Sequence, residues 1–414
     1  MSRYFGPQTL AAALRALTLG VRFFLLFYLA TKLDLTQMGV FSLYWAGLQL
    51  SASLIPLDVY AQTTRLILTK RGEAGSNLER HFGFLLLAVF LLGPLALFLN
   101  VIFGAELDGL LLLIFAIHLP LEVYATDLSR LLIPLGKPLL SIISNFVRSA
   151  AWFFPVLMFF ELEIAEALPV AVVTFWLSGT FLSVILILKF SRVEGLKYRK
   201  VLIDIDWIKA AITGSFVFLI ATLMFRSILG VDKFLVSSAY GEDIVAIYTV
   251  YASGVLGVLA MLESGVSAWH YPRMVQSIKN NKIDLALRQF RSFFVQNFIA
   301  TATLFLGLFL LFPLIAHAFL PPIYYDEISL FFIMAVGVVF YCLTMPFHYF
   351  LYGLGRDRYF LFMYSFSLAL MFCWYFSIMR DFGINGAGLM LAGALISISI
   401  FRVMLTTRII LKRS

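Results

Sequence analysis

Four ionisable side chains sit where an apolar sequence makes them costly. Arg22, Glu122, Arg148 and Arg226 each fall near the middle of a long apolar run. An ionised group at mid-depth in a bilayer costs at least ~2.5–3.5 kcal/mol. If these charges were only structural pairs, their signs would roughly cancel. Three arginines against one glutamate leave the central level positive, which suits a hydrated cavity that receives an anion. The guanidinium fits phosphate because its planar fork donates two bonds to two oxygens. Arg15 precedes Arg22 by seven residues, so both share one helix face and would line a path to the centre. The competing reading pairs each arginine with a nearby carboxylate, Arg22 with Asp58 or Arg226 with Glu263.

Five carboxylates, Asp58, Glu122, Asp127, Asp232 and Glu263, are candidates to carry a coupling ion or proton, the usual work of acids within spans. The bland alternative is a salt-bridge partner or a span-end residue. Lys233 adjoins Asp232 near the end of its run. Arg402 lies near a span end, where a long side chain snorkels to water. His270 and His348 read as interfacial. Neither Cys342 nor Cys373 belongs to a CxxC, so no disulfide or metal site is expected. GxxxxGK[ST], HExxH and GxSxG are all missing. The chain is therefore expected to be neither an ATP-driven pump nor an enzyme, and to use no cofactor. Its one DxD, Asp204-Ile205-Asp206, reads as a solvated face.

These residues need membrane helices to hold them. The chain has 414 residues, 62% hydrophobic and only 13% charged. Soluble domains carry roughly 25% charge. A cytosolic enzyme, a nucleic-acid binder and a disordered chain are excluded. A span needs about 20 apolar residues. Twelve are expected, at 9–31, 39–61, 82–102, 109–129, 138–160, 168–189, 213–238, 243–267, 293–315, 327–349, 358–379 and 386–408. The first contains Arg15 and Arg22 and lacks a small-residue cleavage site, so no cleavable signal peptide is expected. Alternate loops hold 20 Lys/Arg on one side and 2 on the other. That bias places both termini in the cytoplasm and accounts for the net charge of +8. The loop 268–292 mixes apolar and basic residues and suggests a helix lying at the interface. Pro56, Pro94, Pro120, Pro155, Pro313 and Pro346 lie inside spans, where they can kink helices.

The two halves look alike. Val21-Arg22-Phe23-Phe24-Leu25 leads to Gly39-Val40-Phe41-Ser42-Leu43-Tyr44, and Val231-Asp232-Lys233-Phe234-Leu235 leads to Ala246-Ile247-Tyr248-Thr249-Val250-Tyr251. Leu135-Gly136-Lys137 precedes the fifth span as Leu354-Gly355-Arg356 precedes the eleventh. The expected architecture is all-α, a polytopic membrane protein with about twelve transmembrane helices in two parallel six-helix lobes around a central cavity. Residues 1–195 form the first lobe, 196–212 a cytoplasmic linker and 213–414 the second lobe. Arg22 and Arg226, in the first span of each lobe, would face one another. Parallel repeats of this kind mark transporters.

Several short segments, in this order, resemble the polysaccharide flippases of the multidrug/oligosaccharidyl-lipid/polysaccharide exporter superfamily, in particular the O-antigen (Wzx-type) branch. Gly39-Val40-Phe41-Ser42-Leu43 is similar to its G-x-[YF]-x-L segment, and Asp232-Lys233-Phe234-Leu235 with Ala246-Ile247-Tyr248 to its D-[KR]-x-[LF] … G-[IV]-Y. Ala246 departs from the usual glycine. Tyr271-Pro272-Arg273, Leu354-Gly355-Arg356 and Phe382-Gly383-Ile384-Asn385-Gly386-Ala387 match three further motifs. The resemblance implies a multi-pass protein of a bacterial inner membrane with a V-shaped, cation-lined cavity. It implies as substrate an undecaprenyl-pyrophosphate-linked glycan, the repeat unit of O-antigen or another surface polysaccharide. Membrane lipids, a glycan polymerase and a chain-length regulator are the other expected partners. Two alternatives stay open: a cation-coupled multidrug antiporter of the same superfamily, and a membrane scaffold for glycan assembly.

Overall fold

Apolar runs fold as helices because the lipid core offers the backbone no partner outside itself. The computed structural model describes residues 7–69, 73–103, 107–164, 168–193, 201–379 and 381–411. The linker's residues 196–200 lie outside the described residues. Among the described residues there is no strand, and ten helical stretches are long and apolar enough to cross a membrane. An eleventh results if a bent pair is taken as one span.

The chain divides into two compact units, Met1–Leu219 and Ile220–Ser414. The first holds α1 (Pro7–Lys32), α2 (Leu35–Leu54), α3 (Val59–Thr69), α4 (Ala74–Phe103), α5 (Gly109–Leu131), α6 (Pro138–Phe146), α7 (Phe153–Glu161) and α8 (Pro169–Val193). Asp34 opens α2 with a capping box: it accepts from Gln37 N–H at 2.7 Å, and its own N–H donates to the Gln37 side chain. Asp108 caps α5 by accepting from Leu111 N–H at 2.7 Å. α5 packs against α2, α4 and α8. α9 (Ile205–Ile228) begins in this unit and continues into the second.

The second unit continues with α10 (Val231–Tyr240), α11 (Glu242–Leu262), α12 (Ala268–Lys279), α13 (Ile283–Phe319), α14 (Pro322–Asp326), α15 (Ile328–Leu343), α16 (Met345–Gly353), α17 (Asp357–Ser377) and α18 (Ile384–Leu411). Here α15 packs against α11, α13 and α18, the same order as α5 in the first unit. Tyr44 meets Phe115 edge-on at 5.4 Å, and Tyr251 meets Phe331 at 6.1 Å in the same way. The repeated motifs thus make the same contact in each unit.

Proline sets several breaks, because it removes an i→i−4 bond and clashes with that carbonyl. Pro56 follows the end of α2, and α2 meets α3 at 46°. Pro155 follows a π-helical turn at Val147–Ala151, and Pro272 follows another at Glu263–Ser267. Pro346 opens α16. Pro94, Pro120 and Pro313 stay inside continuous helices.

Three expectations need correction. The span expected at 213–238 is divided: α9 ends at Ile228 and α10 starts at Val231, with Gly230 between them. It stands outside the count of ten or eleven, against the twelve expected. The expected interfacial helix in 268–292 is α12 plus the first turns of α13. Met274 and Ile278 pack with Phe293 and Phe350 in a buried cluster, so these side chains meet protein instead of lipid. Asp204 is half-buried and engaged: its carboxylate accepts from Trp207 N–H at 3.0 Å, capping α9, and pairs with Arg80 Nε at 3.1 Å. Leu202 N–H donates to the Glu79 carbonyl, and a Cβ on Gly83 would lie 2.1 Å from the Leu202 oxygen.

Close approach also decides the α15–α18 contact. A Cβ on Gly337 would lie 2.4 Å from Ala392 Cα, whereas one on Gly257 would meet open space. Gly337→Ala is expected to cost about 1–3 kcal/mol by overpacking. Thermal unfolding in detergent should show a lower Tm for that variant and none of this loss for Gly257→Ala.

Candidate functional site

Three of the sequence-predicted charges, Arg22, Glu122 and Arg148, come together in the first unit. Glu122, on α5, is fully buried. Its Oε1 accepts from Arg148 Nη1 in a short ion pair and from Gln49 Nε2 of α2 at 3.0 Å. Its Oε2 accepts from the Thr180 hydroxyl of α8 at 3.1 Å. Three helices and the π-helical turn that carries Arg148 therefore meet on one carboxylate. Arg148 also donates from Nη2 to Asn145 Oδ1 at 2.8 Å, while its buried Nε has no partner among the described residues.

Proton accounting extends the network. Thr180 has one hydroxyl proton, and Glu122 takes it. His118 Nε2, 3.0 Å from Thr180 Oγ1, must then donate. In a neutral ring the other nitrogen then accepts from the Tyr44 hydroxyl at 3.1 Å. The relay runs from Tyr44 through a neutral His118 and Thr180 to Glu122. His118 stands one turn before Glu122 on α5, with its Nε2 3.9 Å from Oε2. Its ring sits edge-on to Trp176 at 4.8 Å, and Trp176 stacks on Trp152 at 5.9 Å.

Arg22 differs from Arg148. It is half-buried on α1, with its guanidinium over the Trp45 ring at 5.6 Å. It lies within electrostatic reach of both Arg148 and Glu122, yet forms no ion pair or hydrogen bond with the described residues. The pairing of Arg22 with Asp58 is therefore not seen. With His118 neutral, Arg22, Arg148 and Glu122 sum to one positive charge, and Arg22 carries it.

The remaining predicted residues lie elsewhere. Arg15 is exposed on α1, and Arg226 is half-buried on α9 in the second unit. Asp58 is buried at the α2–α3 break, where it and Leu57 take φ of 49° and 48°. Asp127 is fully buried near the end of α5. Asp232 is buried, with Lys233 Nζ at 3.3 Å and the Tyr248 hydroxyl donating at 2.8 Å. Glu263 is exposed on its π-helical turn.

Arg402 corrects the expectation of snorkelling. It is 1% exposed, with its guanidinium 4.1 Å from the Tyr341 ring centroid. Nη2 donates to the Tyr341 hydroxyl at 2.9 Å and towards the Tyr364 hydroxyl at 3.4 Å. Cation–π attraction and hydroxyl acceptors replace water here. His348 belongs to this cage through the Tyr364 hydroxyl at 3.3 Å. His270 hydrogen-bonds Gln296 at 2.8 Å and stacks on Phe293.

Sequence reasoning missed Gln49, His118, Asn145, Thr180 and the tryptophans. His118 was findable, since it lies four residues before Glu122 and shares its helix face. Among the described residues no three His, Cys, Asp or Glu side chains converge as a metal site.

No family model and no curated protein sequence matches the chain. Solved structures do. One is a multidrug resistance MATE family transporter of the MOP superfamily in an inward-facing conformation: 13% identity, TM-score 0.72, 96% of this chain and 97% of that one. The outward-facing conformation of such a transporter matches at 13% identity and TM-score 0.66, over 97% of this chain and 95% of that one. A MOP superfamily transporter from Pyrococcus furiosus, described by "reverse polarity of binding pocket suggests different function", also gives 13% and 0.66, over 96% of this chain and 95% of that one. At this identity the likeness establishes the fold: the chain has the all-helical fold of the MATE transporters.

The Glu122–Arg148 pair yields a stability test. Arg148→Ala leaves a buried carboxylate without its cation and is expected to cost about 3–5 kcal/mol. Glu122→Gln combined with Arg148→Gln removes both charges and should recover most of the lost Tm in detergent. A double variant no more stable than Arg148→Ala would show that the pair is not what holds these helices.

Proposed function

We propose that the chain is a membrane transporter whose first unit binds a negatively charged group of its substrate. The observation that carries this is Arg22. It is half-buried beside the Glu122–Arg148 ion pair, has a tryptophan face beneath it, and forms no ion pair with a carboxylate among the described residues. A charge kept in that position with no ion pair of its own among the described residues suits a substrate anion, and a guanidinium suits phosphate oxygens.

The substrate this reading favours is a polyprenyl-pyrophosphate-linked oligosaccharide, flipped from the cytoplasmic to the outer leaflet by alternating access. Arg22 would hold the pyrophosphate, with Arg148 and Arg15 of the same unit as further basic contacts, while Arg226 is a separate candidate contact in the second unit. The second reading is a cation-coupled multidrug antiporter. The solved neighbours speak for it more than for the flippase, since two of those above are described as multidrug resistance transporters. The positive sum at the site speaks for the flippase, and the reverse-polarity neighbour is a precedent for an altered pocket on this fold.

Two assays separate these readings. One is surface-glycan output in a flippase-deleted host; the other is growth in lipophilic cations in an efflux-deficient host. A charge-assisted hydrogen bond is worth ~1.5–3 kcal/mol, so Arg22→Ala should reduce glycan output about 10–100-fold at unchanged protein level. Arg22→Lys should keep part of it. Full output from Arg22→Ala overturns the anion site. Drug resistance without glycan output selects the antiporter.

A further inference from the structure

The first unit holds a second buried ionic site that the Glu122 network does not use. His81 of α4 and Asp127 of α5 are both fully buried, with Nε2 3.3 Å from Oδ2. On the far side of the ring, Nδ1 lies 2.9 Å from the Thr63 hydroxyl oxygen. That same oxygen lies 3.2 Å from the carbonyl of Val59. Arg130 Nη1 stands 3.8 Å from the other carboxylate oxygen, and its guanidinium lies over Tyr60. Neither Asp127 oxygen accepts a well-formed hydrogen bond among the described residues.

The Thr63 hydroxyl has one proton and two acceptors in reach. Suppose it donates to Val59. Nδ1 must then carry a hydrogen and donate to Thr63. Nε2 faces a carboxylate, and the two can bond only by holding a further proton between them. Suppose instead that the hydroxyl turns to Nδ1. The ring proton then sits on Nε2 and donates to Asp127, and Val59 loses the hydroxyl. The two arrangements differ by one proton. With Arg130 and Asp127 ionised, the cluster's charge changes from zero to plus one on proton uptake.

The rotor's position gives this a mechanical consequence. Val59 is the first residue of α3, immediately after Leu57 and Asp58 with their left-handed backbone and the 46° break. We propose that His81, Asp127 and Thr63 form a proton-binding site, with the Thr63 hydroxyl as a rotor that ties protonation to the break between α2 and α3. Its use as a coupling site rests on the transport reading; the proton site itself does not. Other charged and titratable groups lie on the same elements and next to them in the chain. α3 contributes Tyr60 and Arg65, α4 Glu79 and the Asp204-bound Arg80, and α5 Arg130, while Asp58 lies at the break and Lys137 precedes α6. From α8 comes apolar Ile187, packed on Leu128 and Leu132.

The test is imidazole NMR on the full-length protein with 15N-labelled histidine. The difference between wild type and His81→Gln isolates this ring among the five histidines. As the pH of the sample is lowered from about 8 to about 5, the His81 ring should take up one proton. Asp127→Asn should abolish that uptake. Hydrogen exchange of the first α3 amides, corrected for intrinsic rates, should depend on pH in wild type and lose that dependence in Thr63→Val. A ring that keeps one protonation state across the window, or exchange in Thr63→Val with the wild-type pH dependence, overturns the proposal. If His81→Gln does not fold, Asp127→Asn and Thr63→Val carry the test. No substrate enters these measurements, so their failure and the failure of the substrate reading are told apart.

Discussion

The structure of the first unit depends on one carboxylate that cannot be left alone. A charge buried in a span is tolerable only when another group answers it. Glu122 is answered from α2, α8 and the π-helical turn after α6. Those elements must converge on α5, and the packing of α5 against α2 and α8 follows. The same constraint sets the other buried charges in place. Asp232 is met by Lys233 and Tyr248, Asp127 by His81 and Arg130, and Arg402 by two tyrosine hydroxyls and a ring face.

Proline supplies the irregularity that lets side chains reach these partners. Pro155 cannot bond to the carbonyl four residues back, and the helix upstream widens into the π-helical turn that carries Arg148. Pro272 stands five residues after the turn that carries Glu263. Pro56 goes further and ends α2 before Asp58. The charged residues at these places sit where the backbone ladder is already interrupted.

Against this background of answered charges Arg22 stands apart. Its neighbours are an aromatic face and an ion pair whose carboxylate is already committed to Arg148. The residue is therefore costly unless something outside the protein accepts from it. A polar relay from Tyr44 to Glu122 and ring contacts among Trp45, Trp152 and Trp176 surround this corner.

Much was legible before any tertiary contact. Composition and run length require a helical membrane protein, because lipid leaves the backbone no external partner. The paired motifs foretold two alike halves, and Tyr44 and Tyr251 make the same ring contact in each. Depth along a span singled out Arg22, Glu122, Arg148 and Arg226, and the first three come together. The pairings were not legible. A helical sequence reveals level and face but not the neighbouring helix, so Arg148 with Glu122 and Arg22 with Trp45 had to await the fold. Arg402 read as a snorkelling end residue until two tyrosines from other helices enclosed it, and Asp204 as a solvated one until Arg80 met it. The sequence by itself determined which charges sit within apolar runs, since hydropathy is a property of the chain. Only the tertiary structure decided which of them pair with one another among the described residues, since pairing depends on side chains brought together from distant helices.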